Sequence, residues 1–485
     1  MYYLHRYSQE TNFDNEYYGE RYLEPWVSLT EDIKKVNYNK NFDGYVRFDI
    51  LSSGQIKWKS SDSNITRTIE YSKNGDKWTS ITSTTGGTII NASAGDVIYF
   101  RGENQQYAEV IDPNYTTSSG DLDPYNDKNI RKVTFGGTTC NFRVSGNIMS
   151  LIKKDQLVFF KLKDLSGDCN FYGLFRVGSN LKSIENLTLP ATGLTNGCYG
   201  FMFTSADTQT AMSLPAKKMH EACYRNMFSE CKSLTTAPVL LNNDLATYCF
   251  SAMFAKCPSL QNVPNNYLPI TNLEPHCYSS MFKGCSAFTT VPDLPATTLT
   301  EACYGDMFQG CTSLKTAPEL PATTIAAGCY SGMFSGCTSL TTSPELPATT
   351  LMKNCYSSMF DGCVNLTGGT SELPATTVIE WCYHAMFRGC TNLAVAPKIM
   401  ATTGGRTWWM MEDMFNGCAK LDSLTCLITD FFGYAPTNRW LNGVKEHGVF
   451  YKNPSVTESR IRYNEGWSGS GNRIPESWAI EDYTA

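Results

Sequence analysis

The feature that most constrains the fold is a segment of about 26 residues that recurs along the middle of the chain. Its copies carry the pattern C-Y-x-x-M-F-x-G-C-x-x-L, and the full copies begin at Cys223, Cys249, Cys277, Cys303, Cys329, Cys355 and Cys382. A period in this range is typical of solenoids, in which each unit contacts mainly its two neighbours. With degenerate copies near Phe171, Cys198 and Cys418, the array comprises about ten units.

The unit that begins at Cys303 illustrates the local structure that the pattern predicts. Cys303, Met307 and Phe308 recur at helical spacing, and Gly310 stands where a positive φ would end a short helix. Residues 314–320 form at most a brief strand, because a proline within them cannot donate to a sheet. A unit of this size cannot bury its own apolar side, so equivalent residues of neighbouring units are expected to stack. The sequence therefore predicts an α/β repeat solenoid with one short helix and one short strand per unit.

Stacking of the units predicts ladders of identical side chains in the core. The first cysteine column consists of the seven residues that open the full units. The second cysteine column lies eight residues further on and consists of Cys231, Cys257, Cys285, Cys311, Cys337, Cys363 and Cys390. Between the two lies a methionine–phenylalanine column, represented by Met307, Phe308, Met333 and Phe334.

The motif M-F-x-G-C-T-S-L resembles the A-F-x-G-C-x-x-L signature of BspA-type leucine-rich repeats, from about Asn170 to Leu421. The loop L-P-A-T-T-L at residues 294–299 is similar to the Leu-Pro segment of that family. The resemblance implies a leucine-rich-repeat-like fold in which Cys303 and its equivalents replace a buried aliphatic residue. It also implies adhesion or protein contact rather than catalysis, and such repeats are common in anaerobic gut bacteria, Bacteroides among them, and in their phages.

Nineteen cysteines raise the question of disulfides or metal. On a helix, Cys303 and Cys311 would stand about 12 Å apart, whereas a disulfide needs Cα atoms within about 7 Å. Bridges between same-column cysteines of adjacent units stay open as a minor alternative. Zinc is disfavoured because the spacings supply no C-x2-4-C pair or nearby histidine. We expect buried free thiols, with no metal site and no cofactor.

No residues are predicted to be catalytic. The five histidines, His5, His220, His276, His384 and His447, show no recognisable arrangement with a nucleophile and a carboxylate. The acceptor-rich segment Asp121–Asp127 lacks the glycine and the terminal glutamate of an EF-hand, so a solvated loop is favoured over a calcium site. A glycan hydrolase, which would need a pair of carboxylates in a cleft, is the least favoured function.

Ligand contacts are sought among exposed aromatic rings and among positions that vary between units. Tyr304, Tyr330 and Tyr356 belong to an aromatic column that either stacks on sugar rings or packs between units; packing is favoured. Three cations outside the columns, Lys315, Arg388 and Lys398, are further candidates. Glu319, Glu345 and Glu372 follow the repeat period and form either an acidic row for a partner or polar decoration, the favoured reading.

Charge and hydropathy exclude two classes of partner. The formal net charge is −6 with a pI near 5.6, and no Lys/Arg block is present, so nucleic acid is not expected as a ligand. No stretch approaches the 18 or more apolar residues that a membrane span needs. The first residues also lack the apolar run of a signal peptide.

The flanks lead to a four-part division of the chain. Residues 1–39 are an extended arm that orders against a partner; residues 40–152, which alternate with a period of two, are a β-sandwich of Ig-like or jelly-roll-like topology. The repeats occupy residues 153–420. An aromatic-rich C-terminal cap occupies residues 421–485, in which Trp440, Phe450, Trp467 and Trp478 are expected to cover the last unit.

Flanking segments such as G-V-K-E-H-G-V-F-Y-K-N-P-S look like those of phage-encoded and gut Bacteroidetes repeat proteins. We therefore expect a non-enzymatic phage virion component, of the tail or a fibre, on the particle surface. Its arm would contact other virion proteins, and its solenoid would contact a host-surface protein or glycan. The alternative is a bacterial cell-surface adhesin of the BspA type, and homo-oligomerisation stays open for either.

Overall fold

The computed structural model describes residues 42–118, 122–261, 263–404, 409–429, 437–463 and 474–484. The predicted arm at residues 1–39, and Trp467, lie outside these residues. The N-terminal strands are β1 (Val46–Ile50), β2 (Gly54–Ser60), β3 (Thr68–Lys73), β4 (Thr79–Thr82), β5 (Thr88–Ala92), β6 (Val97–Gly102), β7 (Ala108–Val110), β8 (Ile130–Thr134) and β9 (Phe142–Asn147).

The later strands are mostly short. They are β10 (Leu181–Thr188), β11 (Glu372–Leu373), β12 (Thr377–Val378), β13 (Lys398–Ile399), β14 (Thr403–Gly404), β15 (Ser423–Cys426), β16 (Val449–Lys452) and β17 (Ala479–Asp482). The α-helices of the described residues are α1 (Gln156–Phe159) and α2 (Glu458–Tyr463). Short 3-10 turns lie at Asp127–Asn129, Ile148–Leu151, Gly178–Asn180 and Asn265–Tyr267. None of these helices is long and apolar enough to cross a bilayer.

The N-terminal domain consists of two sheets that share one core. One sheet has the strand order β10-β9-β1-β6-β3-β4 and the other has the order β5-β2-β8-β7. The predicted alternation is confirmed in β1, where Val46, Phe48 and Ile50 are buried and the residues between them are not. Phe48 of the first sheet and Trp58 of the second both pack against Phe135, so aromatic rings fill the space between the sheets.

A tight turn at Asn74–Gly75 follows β3, and Asp76 N donates to Lys73 O across it. Both residues have positive φ, 55° and 76°, as the short connection of a tight hairpin requires. Strands β3 and β4 pair across it in antiparallel register, with Tyr71 opposite Thr79.

The predicted short helix of each unit is wrong, so the α/β description of the array holds only for its short strands, such as β11 and β13. Where a helix was expected, the backbone makes consecutive tight turns with a left-handed residue at every fourth position. In the unit of Cys303 these residues are Ala302, Asp306 and Gly310, with φ of 45°, 55° and 74°. A right-handed helix cannot contain such residues at its interior. The result is a ribbon of turns, here called the turn ribbon.

Hydrogen bonds explain why the turn ribbon is stable without a helix. Its backbone N–H groups alternate in direction: Met307 N donates to Tyr304 O within the same turn, whereas Phe308 N donates to Met333 O of the next unit, at 2.9 Å. The same alternation recurs along the array. The ribbon residues of each unit therefore satisfy about half of their amide groups within the unit and the other half on the next unit, so the ribbon satisfies its backbone hydrogen bonds only in a stack.

Aromatic ladders run through the stack and begin in the N-terminal domain. The phenylalanine ladder includes Phe308 and Phe334, whose ring centroids are 5.8 Å apart, and it reaches back through Phe175 to Phe135, which follows β8. The tyrosine ladder likewise reaches back through Phe171 to Tyr107. Strand β10 also pairs in parallel with β9. The β domain is thus continuous with the array and supplies its first layers.

The acceptor-rich loop after β7 docks on the array and is not a solvated loop. Asp123 is buried, with 2% of its surface exposed, and its carboxylate lies 2.6 Å from Nη1 of Arg225 in the array. The guanidinium of Arg225 also lies 4.8 Å from the centroid of the Tyr248 ring. The carboxylate of Asp127 pairs with Lys132 and Arg176. These acidic groups therefore bind cations of the protein itself.

At the other end, the turn ribbon continues past residue 420, where the sequence analysis ended the array. Phe415 N donates to Trp440 O, and Gly443 (φ 72°) lies directly over Gly417. Trp440 and Trp478 are buried at 0% and 1% exposure, and Phe450 lies with its ring centroid 6.3 Å from that of Trp440. Large aromatic side chains thus cover the apolar end of the stack. Strands β11, β13, β15, β16 and β17 form one parallel sheet along this end.

Candidate functional site

The repeated cysteines lie in the core, and their side chains are buried as free thiols. All nineteen are free and buried. In the second column, Sγ of Cys311 donates to Phe282 O at 3.2 Å and Sγ of Cys337 donates to Phe308 O at 3.1 Å, and the same bond recurs from Cys231 to Cys418. Burial raises the pKa of the Cys303 thiol to about 11. Since the thiolate is the nucleophile and the metal ligand, neither role is favoured for such a thiol.

The tyrosine column cannot contact a glycan, contrary to the alternative that the sequence left open. Tyr304, Tyr330 and Tyr356 are 1%, 2% and 1% exposed. Their rings stack on one another at centroid distances of 6.1 and 5.8 Å. Burial also raises the pKa of their hydroxyl groups well above the usual value. The column therefore belongs to the core, as the favoured packing interpretation had it.

Charged side chains of the turn ribbon are paired across neighbouring units. Arg388 binds Asp361 through both nitrogens of its fork, with Nε to Oδ1 at 3.0 Å and Nη2 to Oδ2 at 2.5 Å. Hydrogen bonding to Asp361 raises the pKa of Arg388. Lys283 similarly binds Asp306 at 3.1 Å. Arg388, a predicted ligand contact, is thus already engaged within the protein.

Outside the turn ribbon, the array presents rows of exposed polar groups. Two adjacent exposed threonines recur in successive units, at residues 297–298, 323–324, 349–350, 376–377 and 402–403. A second row contains the exposed carboxylates of Asp293, Glu319, Glu345 and Glu372, and Lys398 follows Glu372 in the register of β11 and β13. Lys315 is exposed as well. The acidic row changes sign at Lys398.

Lys398 lies in a groove of about 510 Å³ on the outer face of the C-terminal sheet. One wall is the segment from Thr367 to Ser371, and Ser423 and Thr425 of β15 also line the groove. Tyr451 of β16 and Tyr483, which follows β17, complete it. Most of the lining residues carry a hydroxyl group, and none of them is acidic. We call this site the C-terminal groove.

Gly369 shapes the wall of the C-terminal groove. Its φ of 140° is unfavourable for other residues, and a Cβ atom there would lie 2.3 Å from the backbone nitrogen of Ser343 in the preceding unit. Beside it, Thr370 donates to a carboxylate oxygen of Glu345 at 3.0 Å, and Ser343 Oγ accepts from Thr370 N at 2.9 Å. The wall is therefore fixed to the array by close backbone approach and side-chain bonds.

The ammonium group of Lys398 has no anionic partner among the residues that the structure describes. Its Nζ lies 3.4 Å from the hydroxyl oxygen of Tyr483 and 5.5 Å from the centroid of that ring. Two neighbouring cations of the same end of the array are paired, Lys445 with Asp422 at 2.8 Å and Lys452 with Asp482. The C-terminal groove thus contains an uncompensated positive charge beside two aromatic rings.

One column of the turn ribbon aligns a serine, a histidine and a glutamate, which the sequence analysis did not anticipate. Ser357 Oγ lies 3.4 Å from His384 Nδ1, and His384 Nε2 lies 3.9 Å from a carboxylate oxygen of Glu412. Burial lowers the pKa of His384. Polar residues occupy this column in most units, so stacking alone produces the alignment. Its distances exceed those of a nucleophile–base pair, and we assign it no catalytic role.

Metal ligands are likewise not grouped within the described ranges: no three His, Cys, Asp or Glu side chains there converge as an ion would require. The sequence singled out Lys398 but missed the rest of the C-terminal groove. Its lining comes from five separate stretches between residues 367 and 484. The one sequence signal was the extra residue in T-G-G-T, which lengthens this unit to 27 residues.

Comparison with known proteins finds solved structures of leucine-rich repeat proteins at low sequence identity. No protein-family model matches the chain, and no curated protein matches it. A leucine-rich repeat protein from Bacteroides ovatus superposes with a TM-score of 0.32 and 15% identity, over 66% of this chain and 87% of the other. A leucine-rich cell surface protein from Faecalibacterium prausnitzii gives 0.31 and 16%, over 63% and 86%. At these values, neither likeness supports a functional conclusion.

Proposed function

We propose that this chain is a non-enzymatic adhesion protein, which presents the outer side of a rigid repeat array to a macromolecular partner. One observation carries the proposal: the repeated cysteine, tyrosine and phenylalanine side chains are buried, whereas residues outside the turn ribbon form rows of exposed hydroxyl and carboxylate groups. Extended surfaces of this kind are how solenoids bind large partners. Host-surface glycans and proteins are the proposed partners.

A binding assay with the full chain tests this function. Fluorescently labelled protein is incubated with a panel of intact gut bacteria and epithelial cells, and with immobilised capsular glycans. We expect saturable binding to at least one surface, which unlabelled protein displaces. Binding to none of them would refute adhesion. Release of soluble sugar fragments from a bound glycan would refute the non-enzymatic part and favour the hydrolase.

For the place of display we propose the surface of a phage particle. The support is the resemblance of the flanking segments to those of phage-encoded repeat proteins. Antibodies against the array should then label purified virions in electron micrographs. Labelling of intact bacteria that carry the gene, with unlabelled virions, would instead favour the bacterial adhesin.

A further inference from the structure

The C-terminal groove has the composition of a site for a polyhydroxylated ligand. Hydroxyl groups from β15, from the 367–371 wall and from Tyr451 and Tyr483 line it, and they both donate and accept hydrogen bonds. The aliphatic residues among its lining are Val395, which is 58% exposed, and Ala396. Its volume of about 510 Å³ lies within the range of small-ligand sites. A hydrocarbon ligand would leave these hydroxyl groups without partners.

Two tyrosine side chains provide surfaces for the less polar face of a sugar ring. Tyr451 and Tyr483 are half-buried, so part of each ring is accessible. A tyrosine offers an apolar ring face together with a hydroxyl group at its edge. This combination suits a pyranose, which has C–H groups on its faces and hydroxyl groups around its rim.

The charge of the groove selects among sugars. Lys398 Nζ is exposed and contacts Tyr483, and none of the groove-lining residues is acidic. A ligand carboxylate there would form a charge-assisted hydrogen bond, roughly twice as strong as a neutral one. The neighbouring row of Asp293, Glu319, Glu345 and Glu372 repels anions elsewhere on this side. Within the lining of the groove, an anionic group is therefore favoured at Lys398.

We propose that the C-terminal groove binds a carboxylate-bearing sugar unit of a surface glycan, with the carboxylate at Lys398 and the ring against Tyr451 and Tyr483. The proposal rests on the proposed adhesive function and specifies one of its ligands. An acidic peptide is the competing ligand. It would use Lys398 but would have less use for the hydroxyl-rich wall.

The test is isothermal titration calorimetry on the full chain with three probes: a disaccharide ending in glucuronic acid, the same disaccharide ending in glucose, and a glutamate-containing peptide. We expect the acidic disaccharide to bind most tightly, and its affinity to fall with added salt because the charge contact is screened. Lys398→Gln should weaken it about 10-fold, the value of one charge-assisted hydrogen bond. Tyr451→Ser should lower the affinity for both disaccharides, whereas Tyr451→Phe should retain most of that affinity.

Lys232→Gln is the matched control, because it removes an exposed lysine of an earlier unit, outside the groove. It should leave the affinity unchanged. Equal binding of the acidic and neutral disaccharides, preference for the peptide, or equal loss in the two lysine variants would each overturn the proposal.

The cell-surface binding assay separates this proposal from the adhesive function. If Lys398→Gln protein still binds cells like the wild type, and the acidic disaccharide does not bind the chain, the groove assignment is wrong but adhesion stands. If the wild-type chain binds no surface at all, adhesion itself is wrong.

Discussion

At the residue scale, the two cysteine columns have different roles despite similar burial. The second column donates S–H groups to carbonyl oxygens of the preceding unit, as Cys337 does to Phe308 O at 3.1 Å. The carbonyl oxygen of Phe308 already accepts a hydrogen bond from Cys311 N of its own unit, so the Cys337 thiol is its second donor. In the first column, Sγ of Cys382 lies farther from a carbonyl oxygen, at 3.9 Å from Met410 O. Burial of both columns was predictable from the repeat. The difference in hydrogen bonding was not, because the residue is cysteine in both columns.

Serine substitutions in one unit should separate these roles. In Cys337→Ser the hydroxyl retains a donor for Phe308 O, so we expect a loss of less than ~1 kcal/mol in the free energy of unfolding. In Cys329→Ser the new hydroxyl is buried among apolar neighbours, and we expect a loss of ~1–3 kcal/mol. Urea denaturation followed by circular dichroism measures both. Equal losses would show that the S–H···O bonds do not distinguish the columns.

At the element scale, the turn ribbon shows why the helix prediction was wrong. Cys303, Met307 and Phe308 fit a helical period, but they fit a four-residue turn period equally well. The residues with left-handed backbone distinguish a turn ribbon from a helix. Of the three such residues in this unit, only Gly310 is a glycine. The next unit did contain a signal: Gly328, Gly332 and Gly336 recur every four residues, and all have positive φ. Three such glycines are incompatible with a stable helix.

Alanine substitution at two glycines of one unit tests the ribbon. Gly310 has a φ of 74°, so Gly310→Ala should lower the free energy of unfolding by about 1 kcal/mol through backbone strain. The equivalent positions Glu230 and Lys256 tolerate this conformation, which keeps the expected cost modest. Gly305→Ala is the control because Gly305 lacks positive φ, and we expect a smaller loss. The reverse order, measured by urea denaturation, would contradict the turn assignment.

At the scale of the whole molecule, the β domain and the array form one stack. The domain's alternating strands were predictable because their period is local. Its role as the first layers of the array was not, since it depends on where Phe135 and Tyr107 lie relative to Phe175 and Phe171. The C-terminal groove was unpredictable for the same reason, because its lining is dispersed over more than one hundred residues.

The buried ion pair between Asp123 and Arg225 should couple the two parts. Asp123→Asn leaves the guanidinium of Arg225 without its anion, and removing one partner of a buried pair costs about 3–5 kcal/mol. We expect calorimetry to show a lower melting temperature for the variant. Limited proteolysis should cleave the variant earlier than the wild type near the acceptor-rich loop after β7. Glu230→Gln is the control, since its pair with Lys256 is exposed and worth about 0–1 kcal/mol. Similar effects of the two substitutions would refute the coupling.

Alkaline pH should destabilise the whole chain. The buried Cys303 and Cys337 thiols have pKa values raised to about 11 and about 12, whereas thiols of the unfolded chain ionise near 9. The stabilisation is fully present below pH 9 and is lost as the pH rises through the folded values, at roughly 1.4 kcal/mol per thiol and pH unit. Urea midpoints measured from pH 7 to 11 should fall steeply above pH 9. A midpoint that stays constant to pH 11 would contradict the burial of the thiols.

The alternating amide directions of the turn ribbon affect how the number of repeat units can change during evolution. Because each unit bonds to the next through the same atoms, a layer such as residues 303–328 presents one face that fits its predecessor and another that fits its successor. Unequal recombination between the stretches of the gene that encode similar units can therefore delete or duplicate a layer in frame while leaving both ends of the stack intact. Related strains should then differ in the number of layers, and hence in the reach of the molecule.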